Sequence, residues 1–157
     1  MRLLSGILFL AVVFVSCDEQ RHYEKNTDFI SRQWVVQEQP VFEFEITDTL
    51  ATYNLFCNVR NSLEYPFSRI FLNYTLADST GKTLNSKMVS QFLFEEKTGA
   101  PFGESGLGDI YHHRIPLETA FQFPRQGKYQ VTFEQYMRRD TLEGVLAVGL
   151  RVERTAK

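Results

Sequence analysis

Val41-Phe42-Glu43-Phe44-Glu45-Ile46 is the stretch that decides the fold class. Successive side chains of a strand point to opposite faces, so this alternation puts Phe42, Phe44 and Ile46 on one face and the two glutamates on the other. The same period recurs downstream. Tyr53–Arg60 places Tyr53, Leu55, Cys57 and Val59 together, and Phe67–Leu76 does so for Ile70, Leu72, Tyr74 and Leu76. Asp78-Ser79-Thr80-Gly81-Lys82 reads as a hairpin connection, with Gly81 supplying a positive φ. Thr83–Phe94, Ile110–Leu117, Tyr129–Met137 and Val145–Val152 complete the set. About seven to eight short strands, with no helical period anywhere, predict an all-β immunoglobulin-like antiparallel sandwich. The entry Pro124-Arg125-Gln126-Gly127-Lys128-Tyr129 resembles a turn of immunoglobulin-like domains.

Upstream of these strands the text changes character. Arg2 precedes an apolar run, Leu3–Val15, broken only by Ser5 and Gly6. The run is short of the roughly 20 residues a membrane-spanning helix needs, and has the proportions of an export signal. Phe14-Val15-Ser16-Cys17 resembles a bacterial lipobox, which makes Cys17 the expected lipidation site. The expected organisation is a signal peptide over 1–16, a polar lipidated tether over 17–33 and a β-sandwich domain over 34–157. Anchoring to a membrane through Cys17 follows from it.

The 157 residues are 43% hydrophobic and include 14 phenylalanines, which suits one globular domain with a sizeable core. The net charge of −2 and the lack of any basic stripe argue against nucleic-acid binding. If Cys17 carries lipid, Cys57 is left as an apolar-face thiol, protonated and a poor nucleophile. Two cysteines are too few for a zinc ribbon.

Catalytic constellations fail on geometry. His112 and His113 are adjacent on a strand, so they face opposite ways and cannot share a metal; His112 is expected in solvent and His113 inward or at a rim. Glu43 and Glu45 share a face, but alternating glutamates are ordinarily a wet strand surface. No nucleophile-elbow, zinc-protease or phosphate-loop motif is present. The chain is therefore read as a non-enzyme with no cofactor and no metal.

Two features invite other roles. The segment Glu95–Asp109 is long for a loop in a compact domain and carries Gly99, Gly103, Gly106 and Gly108. Phe102, Gly103, Gly106, Gly108 and Asp109 are candidate partner-binding residues; the competing reading is a surface loop whose Phe102 folds back onto the sandwich edge. Asp48-Thr49-Leu50, Asp78-Ser79-Thr80 and Asp140-Thr141-Leu142 resemble an O-glycosylation acceptor of exported proteins in Bacteroidota. Thr49, Ser79 and Thr141 are the candidate sites, and turn chemistry is the competing explanation.

Longer matches carry a family resemblance. They are Tyr53–Asn61, Tyr65-Pro66-Phe67-Ser68, Gly106–Tyr111, Phe123–Tyr129, Tyr136-Met137-Arg138, Leu142–Val145 and Gly149–Glu153. In order and spacing they resemble the GldH gliding-motility lipoprotein family of Bacteroidota. Where related sequences tend to carry an acidic residue, this chain has Ala147-Val148 before Gly149. The resemblance implies a non-catalytic cell-envelope lipoprotein that supports gliding motility, or the associated secretion machinery, through protein–protein contacts with envelope proteins. The chain is read as a lipid-anchored monomeric domain, with the outer membrane favoured over the inner. The alternative from another class is a surface glycan- or ligand-binding lipoprotein, against which counts the presence of a single tryptophan, Trp34.

Overall fold

Alternation written into the sequence becomes alternation in burial. In the computed structural model, which describes residues 20–155, Val41–Ile46 (β3) has every second residue buried, and Tyr53–Ser62 (β4) buries Tyr53, Leu55, Cys57 and Val59. Arg69–Asp78 (β5) buries Ile70, Leu72, Tyr74 and Leu76. Thr83–Phe92 (β6), Ile110–Phe121 (β8), Gly127–Gln135 (β9) and Val145–Arg154 (β11) follow where strands are expected, with ends shifted by a few residues. Met1–Ser16 and Cys17 lie outside the described residues.

All pairings are antiparallel, and they form three separate sheets. Arg21–Asp28 (β1), β11, β4, β8 and the two-residue Glu104–Ser105 (β7) make a five-stranded sheet in that order. A four-stranded sheet runs β3-β9-β5-β6. Gln33–Val35 (β2) and Thr141–Glu143 (β10) form a separate ribbon. The all-β class holds, while the expected single set of seven to eight strands is replaced by eleven described strands in three sheets. The additional strands are short or polar, and hydrophobic periodicity does not register them.

One core joins the elements. Leu55, Val59, Leu150 and Val152 of the five-stranded sheet share it with Leu72, Leu76, Val131 and Phe133 of the other. Tyr74 crosses between the sheets, its Oη donating to the Glu118 carboxylate at 2.6 Å and lying 3.2 Å from the Leu117 carbonyl oxygen. The ribbon buries Trp34 completely, stacked on Phe29 with ring centroids 5.6 Å apart and its Nε1 donating to the Glu38 carbonyl. The turn before β9 is tied as expected for its residues: Tyr129 Oη donates to the Arg125 carbonyl at 2.6 Å and accepts from Arg125 N–H.

The tether expected over 17–33 is shorter in its described part, because residues 21–28 are strand β1. Only Tyr23 and Thr27 are half-buried, so no apolar alternation marks the strand. It forms because β11 is buried along most of its length and its backbone groups need a second partner beside β4. Gly149 makes room: a Cβ there would collide with the Asn26 side chain of β1.

Candidate interaction surface

Strand direction gives the module two distinct ends. Arg154 N–H donates to the Gln20 carbonyl at 2.8 Å, Arg154 pairs with Asp48, and His22 Nε2 donates to the Glu45 carbonyl. Gln20 therefore sits with the loops 47–52, 79–82 and 122–126, all of them short. The opposite end carries 29–32, 36–40, 63–68, 93–103, 106–109 and 136–140. Strands of ten residues keep the two ends roughly 30 Å apart. Cys17 is three residues from Gln20, and that length of chain spans at most about 11 Å. The lipidation candidate is thus covalently tied to the short-loop end, which we call proximal.

Exposed apolar side chains are distributed unevenly between the ends. Ile30, Val41, Leu63, Phe102, Leu107 and Tyr136 lie at or beside distal strand ends, and Met88 lies just past the middle of β6. Leu50 is the one large exposed apolar residue of the proximal loops among the described residues.

The segment 95–109 belongs to the distal end and is packed down. Phe94 bridges to Pro101, β7 pairs with His112 and Tyr111 of β8, and Gly106 N–H donates to the Ile110 carbonyl. Gly103, at φ +86°, sits so close to β8 that a Cβ would lie 2.6 Å from the His112 carbonyl oxygen and 2.7 Å from His113 Cε1. A Cβ at Gly106 would meet His112 Nε2 at 2.8 Å. Gly103 and Gly106 are thus where the loop is docked, whereas Gly108, also at positive φ, has open space around it. Phe102 is 44% exposed and Leu107 90%. Asp109 faces Arg32 at 3.5 Å. The loop is held in place and still displays two apolar side chains.

The paired histidines separate as their adjacency requires. His112 is exposed, while His113 is buried with no partner for Nε2. Desolvation, and then the neighbouring His112, push the His113 pKa down to about 4. Cys57 is fully buried, and desolvation raises its thiol pKa far above the ordinary range. Glu43 and Glu45 are exposed, and Glu43 pairs with Lys128 at 2.8 Å. Among the described residues no group of three or more His, Cys, Asp or Glu is placed to hold a metal. Thr49 lies half-buried in a bend and Ser79 exposed in a turn, whereas Thr141 is half-buried in β10, paired with Val35. Both of the first two follow an aspartate that caps its own turn: Asp48 accepts from Leu50 N–H and Asp78 from Thr80 and Lys82 N–H.

Two concavities complete the surface. A polar cleft of about 500 Å³ crosses the outer face of the five-stranded sheet above small Ala147. Its charges are largely satisfied internally: Arg151 pairs with Glu24 and Glu153, Asn58 donates to Glu24, and Arg60 faces Asp28 at 3.5 Å. An apolar groove of about 490 Å³ lies on the outer face of the four-stranded sheet near its distal end, between Phe67, Phe71, Met88, Tyr136 and Met137, with Arg138 and Arg139 beside it. Sequence reasoning missed this groove because it looks for the inward face. The available signal was Phe71, an aromatic out of phase with Ile70, Leu72 and Tyr74.

The model of the GldH lipoprotein family matches residues 21–152. The gliding motility lipoprotein GldH of Flavobacterium johnsoniae is 29% identical over 157 residues, covering 95% of each chain. The gliding motility lipoprotein GldH homolog of Christiangramia forsetii is 28% identical over 155 residues, covering 94% of this chain and 93% of its own. Among solved structures, the infectious bursal disease virus VP2 subviral particle aligns at a TM-score of 0.37 and 11% identity, over 84% of this chain and 30% of its own. Dimeric latent PorU from Porphyromonas gingivalis aligns at 0.38 and 7% identity, over 86% and 13%. Both scores are too low to place the chain in either fold.

Proposed function

The chain belongs to the GldH lipoprotein family, and from that premise we propose that it is a non-catalytic outer-membrane lipoprotein whose distal end contacts proteins of the gliding or associated secretion machinery. In this reading Met1–Ser16 is a cleaved signal, Cys17 is acylated, and the folded domain begins near Gln20. Several acyl chains together give stable anchoring, since each buried methylene contributes about 0.8 kcal/mol. The observation that carries the reading is the polarity of the module. The one long connection, 93–103, and six of the eight large exposed apolar side chains among the described residues lie at the end away from Gln20, where an anchored domain meets its neighbours. Phe102 and Leu107 supply apolar contacts there, Asp109 a polar one, and Gly103, Gly106 and Gly108 set the loop's path. The glycan-binding alternative loses its one tryptophan, because Trp34 is fully buried in the ribbon. The two larger sheets, enclosing one core, serve as an immunoglobulin-like sandwich, and glycans at Ser79, Thr49 and Thr141 shield its connections.

Replacement of the chromosomal gene in the native host by the wild-type sequence or by Cys17→Ser tests the proposal. The wild type is expected in the detergent phase of membrane extracts, with surface movement and protein secretion intact. Cys17→Ser is expected to leave that phase and to lose both. Equal partitioning of the two proteins would overturn the anchor.

A further inference from the structure

We propose that the groove between Phe71, Met88 and Tyr136 binds an extended acidic segment of another envelope protein, one apolar side chain of which fills the groove while its carboxylates meet Arg69, Arg138 and Arg139. The inference rests on the anchored, distally interacting module proposed above and names the chemistry of its partner.

The charge pattern carries it. Of the ten arginines among the described residues, Arg21, Arg32, Arg60, Arg114, Arg125, Arg151 and Arg154 each pair with a carboxylate. The three that do not, Arg69, Arg138 and Arg139, all stand around this groove. Two of them rest on aromatic rings instead: Arg69 lies 3.7 Å from the Phe92 centroid and Arg139 lies 5.6 Å from that of Phe67. A guanidinium stacked in this way keeps its N–H fork available for a carboxylate. No carboxylate lines the groove itself; Glu96 and Asp140 lie nearby. In a chain of net charge −2, this is a local cationic rim around an apolar floor.

The floor is pre-formed. Tyr136 N–H donates to the Phe71 carbonyl at 2.9 Å, and Phe71 N–H points at Met137 Sδ at 3.3 Å. Met88 and Tyr136 are 55% and 60% exposed, so an occupant would cover apolar surface now facing water. Methionine adapts its shape to varied apolar partners. A glycan would need more hydrogen-bonding side chains than this floor offers. The groove stands away from the proximal end: Phe71 is seven residues along β5 from Asp78, roughly 23 Å.

The test uses the full chain in its native host, with a benzophenone amino acid replacing Met88 and the cross-linked peptide identified by mass spectrometry. The expected product joins position 88 to a segment of another envelope protein rich in Asp and Glu around an apolar residue. Arg138→Glu with Arg139→Glu should lower the yield roughly tenfold at an unchanged melting temperature. The corresponding double Gln variant should fall between. Cross-linking to lipid, to a second copy of this chain or to a segment without carboxylates overturns the proposal. So does the absence of a product from folded, membrane-bound protein, or a yield indifferent to charge reversal. Detergent-phase partitioning reports the anchor separately: a soluble chain that still gives the acidic cross-link removes the anchor and leaves the groove standing.

Discussion

The α-carbon of Gly103 is packed against the ring of His113, so closely that a methyl group there would lie 2.7 Å from Cε1. The contact joins the distal loop to β8 and makes a clear distinction between residues that hold the loop and residues it displays. Gly103→Ala meets the ring, the His112 carbonyl and an unfavourable φ of +86° together. It should cost about 2–3 kcal/mol. Leu107→Ser, on a side chain 90% exposed, should change stability by less than about 0.5 kcal/mol. Urea denaturation of the two variants checks the pair. Equal small effects would mean that the loop is not docked.

His113 gives the fold a pH dependence of known sign. Its folded pKa is pushed down to about 4, below the ordinary value of 6.5, by desolvation and by His112. Above pH 6.5 the ring is neutral whether the chain is folded or not. Between pH 6.5 and about 4 the unfolded chain binds a proton that the folded chain refuses, so stability falls as pH falls, by on the order of 3 kcal/mol at most. The carboxylates of Asp78 and Glu95 are depressed by hydrogen bonds, chiefly from Thr80 and Thr98, and lose their contribution only at lower pH. Unfolding free energies from urea titrations at pH 7.5 and 4.5 should differ by about 2 kcal/mol more in the wild type than in His113→Gln. Equal differences would remove His113 from the account.

Much of this architecture was legible in the sequence. Strands with one wet and one dry face, such as β3, β4 and β5, announce themselves by period. So does the placement of His112 and His113 on opposite faces. Strand β1 did not, because an edge strand with only Tyr23 and Thr27 half-buried has no apolar rhythm. The ribbon of β2 and β10 was illegible for another reason: three residues each are too few to show a period. In the segment 95–109 the glycine spacing did not distinguish docked positions from open ones. Gly103 and Gly106 face β8, and only coordinates separate them from Phe102 and Leu107.

Accessibility ranks the three candidate glycosylation sites. Ser79 is exposed in its turn, Thr49 is half-buried in a bend, and Thr141 is half-buried and paired with Val35. Intact-mass measurement on protein from the native host should show hexose-sized increments. Ser79→Ala should remove the most abundant one and Thr141→Ala the least. A mass equal to chain plus lipid would leave turn capping by Asp48 and Asp78 as the whole explanation of the triplets.

Leu50 and Leu107 form a matched pair for the central claim, that contacts are made by the end away from the anchor. They are 86% and 90% exposed and lie at the proximal and distal ends respectively. A benzophenone amino acid placed at each in turn, in the membrane-bound chain of living cells, reads out what each end touches. The account predicts a cross-link to an envelope protein from position 107, and from position 50 only lipid or no product. A protein cross-link from position 50 with none from position 107 would contradict it.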